Sequence, residues 1–214
     1  MVLAALVAGW GSLLAAARRI RRLRDDRLIR RIVAVVLVGN ELGGWGDALA
    51  HGRWGPPCQL CDLAVFAMAW ALVGRRRLVG ELAVVWGLAG SLQAVLTPDL
   101  SAGVASYPWV QFFLGHVAVV LSAVYLLARG RVRLTRGSVW RAWLISNVYV
   151  VAAGLLNWRW GTNYGYLAHK PAHPSLLDFL GPWPWYIIGI EIVAVMLFCG
   201  CVGLNRFVDR LAQS

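Results

Sequence analysis

The sequence has few acidic residues and little charge of any kind. Only 10 of 214 residues are Asp or Glu, and charged residues together make up 14%. Set against 59% hydrophobic content and 12 Trp, this excludes an ordinary water-soluble domain. No glycine-rich nucleotide loop, zinc-finger spacing, internal repeat or low-complexity linker occurs. The net charge of +11 therefore reads as membrane topology, and no nucleic-acid partner is expected. The four cysteines and four histidines form no tight ligand cluster, so neither a metal nor another cofactor is expected. No basic residue precedes the first apolar segment, Met1 to Ala17, whereas a cleaved signal peptide carries positive charge ahead of its apolar core. A retained span is expected there.

What the chain does contain is long apolar runs, near 1–17, 32–49, 57–74, 82–98, 108–128, 140–158 and 184–204. A membrane span needs about 20 mostly apolar residues, and only helices satisfy the backbone of such a segment internally outside a closed barrel. The predicted fold is all-α, a polytopic transmembrane bundle of about seven spans forming one domain over 1–214. Eighteen of the 21 Lys and Arg residues fall in alternate gaps: Arg18 to Arg31, Arg75 to Arg77, Arg129 to Arg141, and the tail with Arg206 and Arg210. The other gaps hold Arg53, Arg159 and Lys170. Positive charge is retained on the cytoplasmic side, so the C-terminus is expected in the cytoplasm and the N-terminus outside, in a multi-pass protein of the cell (plasma) membrane. Trp45, Trp54, Trp109, Trp158, Trp160, Trp183 and Trp185 mark the outer ends, and Trp140 and Trp143 an inner end.

With that orientation, helical rise places Cys61 roughly 6 Å and His116 roughly 12 Å below the outer face. Asn40, Glu41 and Glu191 fall in the outer halves of their spans, Asn157 and Asn163 flank an outer end, and Asn147 lies near mid-membrane. Polar groups inside spans are costly and usually face a bundle interior or a wet cavity. Their collection predicts a cavity open to the extracytoplasmic side.

Cys61 and His116 can make a nucleophile and base. A thiol attacks as thiolate and needs a partner to take its proton, and imidazole suits that role near neutral pH. Asp62, Glu41 and Asn157 are candidates to orient His116. A second chemistry is redox, through the C-x-x-C of Cys58 and Cys61, but the other pair, Cys199 and Cys201, falls near the opposite face. A third class is a lipid-binding or transport protein without catalysis. Gly43, Gly44, Gly87 and Gly90 read as packing contacts rather than breaks.

Several strings occur in order: Pro57-Cys58-Gln59-Leu60-Cys61-Asp62, Leu96-Thr97-Pro98-Asp99, Phe112-Phe113-Leu114-Gly115-His116, Asn157 with Gly161-Thr162-Asn163-Tyr164, Lys170-Pro171, and Leu180-Gly181-Pro182-Trp183-Pro184-Trp185-Tyr186. Over roughly 55–200 the chain resembles the YwaF-like integral membrane family, relatives of vertebrate transmembrane protein 164. The resemblance implies a Cys-dependent acyltransferase moving fatty acyl chains between membrane phospholipids and lysophospholipids, with Cys61 as nucleophile and His116 as its base. Family members often carry a His where this chain has Gln59. On that reading, Asn157 or Asn163 are candidate oxyanion donors, and Lys170 and Tyr164 candidate headgroup contacts.

Overall fold

The computed structural model describes residues 26–52 and 55–213, the side chains of 211–213 excepted. The expected first span and Trp54 lie outside the described residues. The rest is helical: α1 (Arg27–Ala50), α2 (Leu60–Val73), α3 (Arg77–Leu96), α4 (Tyr107–Ala128), α5 (Arg136–Trp160) and α6 (Trp185–Gln213). Five of these are long and apolar enough to cross a membrane, and α2, with 14 residues, is shorter. The count of about seven spans becomes five, plus one short helix, among the described residues.

The sequence dictates the helix ends locally. Pro56 and Pro57 hold the chain extended ahead of α2, whose first turn is closed by the Gln59 N–H donating to Asp62 Oδ2 at 2.9 Å. Ser106 and Pro108 open α4. Thr135 caps α5 by accepting the Ser138 N–H, and Gly161, at φ 65°, ends it in the left-handed conformation that glycine adopts without strain. Within α3, Gly87–Ser91 form a π-helical turn, the insertion that bulges a helix and often marks a functional site.

Among the described residues, arginines of the first three basic segments gather at one end of the bundle. Asp26 accepts from Arg30 at 3.0 Å and pairs with Arg129 at 2.9 Å, and it also accepts from the Tyr125 hydroxyl. Arg30 donates to the Leu72 carbonyl and Arg131 to that of Gly74, tying α1, α2 and α4 together. Glu81 accepts from Arg77 and Arg141, each at 2.8 Å. The Leu134 N–H donates to Asn205 Oδ1 at 2.7 Å, adding the lower part of α6 to this arginine end.

Above it sits a solid core. Leu37, Met68, Leu72, Val84, Val85, Val120, Leu126 and Ala142 are at most 2% exposed. Gly43 and Gly44 of α1 lie against the side chains of Tyr107 and Gln111 of α4, where a Cβ would sit 2.6 Å from either neighbour. They are packing contacts, as read from the sequence, and so is Gly87, where a Cβ would sit 3.0 Å from Val119. Gly90 is not, since a Cβ there meets nothing within 4 Å and the residue lines a cavity. The upper edge of this core is also the floor of that cavity: Val65, Trp86, Val119 and Phe198 belong to both, and Glu41 and Ser146 line the cavity beside them.

Candidate functional site

The cavity occupies about 630 Å³ and draws its wall from all six described helices and from the 161–184 connection. Its size falls within the range of sites that enclose most of a small ligand. Most of the wall is apolar, and its polar side chains include Glu41, Cys61, Asp62, His116 and Glu191. Asn157, Asn163 and Lys170 are not part of it.

Depth differs from the sequence expectation. Helical rise puts Cys61 about 20 Å above Gly74, His116 about 20 Å above Arg129 and Glu191 about 21 Å above Asn205. These three anchors belong to the arginine end. The reactive groups therefore share one layer near the middle of the bundle. Cys61 is deeper than expected because α2 spans only about 20 Å and its entering segment descends from above. Three bonds hold that segment down: Tyr164 donates to the Pro56 carbonyl at 2.7 Å, Tyr149 to that of Cys58 at 3.0 Å, and the Gly165 N–H to Gln59 Oε1 at 3.0 Å. Gln59 thus serves as a tie between α2 and the 161–184 connection. Glu191, the seventh residue of α6, lies in the outer half of its span as expected, and its side chain accepts from Asn147, the residue read as mid-membrane.

Cys61 occupies the first turn of α2, at the positive end of the helix. Beside it the carboxyl groups of Asp62 and Glu41 meet in hydrogen-bonding contact. Glu41 also accepts from the Trp45 indole at 3.1 Å, so Trp45 belongs to the cavity wall and not to an interfacial girdle. His116 is oriented by its own helix. Nδ1 lies 2.8 Å from the Phe112 carbonyl, which can only accept, so Nδ1 carries the proton and Nε2 presents its lone pair. The Phe112 ring packs 4.2 Å from the imidazole centroid. Asp62, Glu41 and Asn157 make none of these contacts.

The two asparagines serve the connection instead. Asn157 donates to the Tyr164 carbonyl at 3.0 Å and accepts from Thr162 Oγ1 at 2.8 Å and the Tyr164 N–H at 2.7 Å. Asn163 accepts the N–H groups of Ala168 and His169. Lys170 Nζ lies 5.6 Å from the centroid of the Tyr186 ring. Tyr164 is buried in the cavity wall, with its hydroxyl spent on Pro56, so it is not a surface headgroup contact. Trp143 likewise leaves the expected inner girdle and donates to Glu191 at 2.7 Å, while Trp158, Trp160, Trp183 and Trp185 are exposed as anchors would be.

Sequence reasoning also missed the clasp over the cavity mouth. Asp99 accepts from the His173 N–H at 3.2 Å and from Tyr166 at 3.2 Å, and lies 2.8 Å from His173 Nδ1. Burial would raise its pKa, but the His173 and Tyr166 contacts outweigh it and hold the carboxyl below its usual range. The Thr97-Pro98-Asp99 string signals a helix end, but no spacing signals a partner 74 residues away.

All four cysteines are free, with Cys201 in the packed core and Cys199 exposed on the outside of α6. Neither a curated protein nor a solved structure matches the chain. The model of the TMEM164 family matches residues 1–202, well beyond the stretch that carried the resemblance. The helical bundle, its apolar helices and this match over almost the whole chain agree: the protein belongs to the TMEM164 family of multi-pass membrane proteins.

Proposed function

We propose that the protein is a lipid acyltransferase of the plasma membrane, working from a cavity that opens toward the extracytoplasmic face. One observation supports this above the others. Cys61 and His116, on separate helices, line the same mostly apolar cavity at a common depth, and the imidazole presents Nε2 as a free base.

In this reading an acyl ester of a phospholipid enters the cavity. His116 Nε2 takes the Cys61 proton, the sulfur bonds to the ester carbonyl carbon, and the carbon–oxygen bond breaks as His116 returns the proton to the leaving alkoxide. The acyl group now rests on Cys61 as a thioester. The hydroxyl of a lysophospholipid gives its proton to His116 and attacks the thioester. The sulfur leaves and recovers the proton. Backbone N–H groups in the first turn of α2 are the available donors to the oxyanion, since Asn157 and Asn163 are committed elsewhere.

One observation favours a second reading, a lipid-binding or transport protein without catalysis: two carboxyl groups flank the thiol. The test uses the full chain in lipid nanodiscs with the p-nitrophenyl ester of a fatty acid. Wild-type protein acquires a hydroxylamine-labile acyl group on Cys61, the Cys61→Ala protein acquires none, and His116→Ala acquires it about 100-fold more slowly. Undiminished labelling of Cys61→Ala removes the nucleophile. Lipid binding by a wild-type protein that never labels leaves the second reading.

A further inference from the structure

The cavity that Cys61 lines also holds, at about the same height above the arginine end, a carboxylate that the transfer chemistry does not use. Glu191 Oε2 accepts two neutral donors from α5, the Trp143 indole at 2.7 Å and the Asn147 amide at 3.0 Å. Oε1 accepts from nothing among the described residues. It is not sealed in protein either, because Glu191 lines the cavity and its oxygens are absent from the fully enclosed side-chain atoms that lack a partner. The lipid-facing side of α6 is a different one, marked by the exposed Ile188, Ile192 and Met196.

If Glu191 served only to join α5 to α6, its second oxygen would be better enclosed or satisfied by the protein. Instead a strong acceptor without a protein partner lies in the wall of a largely apolar chamber near the middle of the bundle, where lacking a donor is costly. Acyl methylenes offer no donor, and a phosphate or carboxylate would be repelled. An ammonium group would have to be stripped of its water at that depth. A hydroxyl supplies the donor without a charge to desolvate.

We infer that Glu191 is a recognition residue for a free hydroxyl on a lipid held in the cavity. This rests on the cavity being a lipid site, which is part of the function proposed above, but not on acyl transfer. Glu191 selects, among membrane lipids, those carrying an unesterified hydroxyl.

The test measures binding to full-length protein carrying Cys61→Ala, so that no acyl transfer can contribute. The ligands are 1-oleoyl-lysophosphatidylcholine and its 2-O-methyl ether, which differ only in the donor. With Glu191 intact, the hydroxyl lipid binds about tenfold more tightly than the ether. Adding Glu191→Leu brings that ratio to about one, and Glu191→Gln, which keeps an acceptor oxygen, retains part of it. Because Glu191→Leu also removes the acceptor of Trp143 and Asn147 and can hinder folding, the comparison of the two lipids on the Glu191-containing protein stands by itself. Equal binding of both lipids there overturns the inference, as does full discrimination by a folded Glu191→Leu protein. Acyl labelling of Cys61 is measured separately, so failure of the transferase reading leaves this result intact.

Discussion

The arginine end and the cavity use carboxyl groups in opposite ways. At the arginine end each buried carboxylate has cationic partners: Asp26 has Arg30 and Arg129, and Glu81 has Arg77 and Arg141. Inside the cavity Glu41 and Asp62 lie beside each other and Glu191 meets neutral donors, while Asp99, at its mouth, faces His173. The first arrangement locks helix ends together and leaves nothing over for a ligand. The second keeps acceptors available in a space that the protein does not fill. Stability and binding are thereby assigned to different halves of one bundle.

Substitutions in the two halves should separate these properties. The largest effect is expected from Gly90→Leu. A Cβ at Gly90 meets nothing within 4 Å, and the residue lines the cavity, so the added side chain occupies ligand space without a clash. Acyl labelling of Cys61 should fall at least about tenfold, with the thermal midpoint nearly unchanged. A large drop in that midpoint would break the division. The converse variant is Glu81→Leu, which leaves Arg141 and Arg77 without their buried partner. It should lower the thermal midpoint in detergent, because the ties of Glu81 to Arg77 and to Arg141 of α5 are lost. Labelling per folded molecule should stay at the wild-type level.

Acid should act first through the arginine end. Burial pushes the Asp26 carboxyl up, but hydrogen bonds from Tyr125 and Arg30 and the charges of Arg30 and Arg129 hold it down at about 2. A carboxyl held low when folded contributes its full stability above its unfolded value near 4, and loses it as pH falls toward 2. Thermal midpoints taken between pH 5 and pH 2.5 should decline, and the decline should be shallower in Asp26→Asn. The smallest effect is at the cavity mouth. Asp99→Asn weakens the contacts to His173 and Tyr166 by about 1 kcal/mol. It should raise hydrogen exchange across 164–176 while leaving the arginine end protected. Wild-type protein should show the same local rise in acid, because the Asp99 pKa is depressed in the fold and its stabilisation disappears as the carboxyl protonates.

The features legible in the sequence were those written in local runs. Apolar length gave α1 and α3 to α6, proline and glycine marked several helix ends, and alternating arginine content predicted that the basic segments would gather at one end. That Cys61 and His116 fall within about a helical turn of each other in height was also readable by counting along each helix, and both line the cavity. What counting could not supply was where each helix begins relative to its neighbours. The count for Cys61 started at Pro57, but the helix starts at Leu60, beneath an extended segment that tyrosines from remote parts of the chain hold down. Asn157, a plausible donor by position, was removed by a loop that folds back onto it.

The sequence by itself determined that this chain crosses a membrane several times and which segments collect together, because hydrophobic length and charge act residue by residue. Only the tertiary structure decided that the polar groups meet near the middle of the bundle around one cavity, and that Glu191 and Cys61 line it together. Those facts depend on the relative heights of helices, set by contacts between residues far apart in the chain, to which no local pattern corresponds.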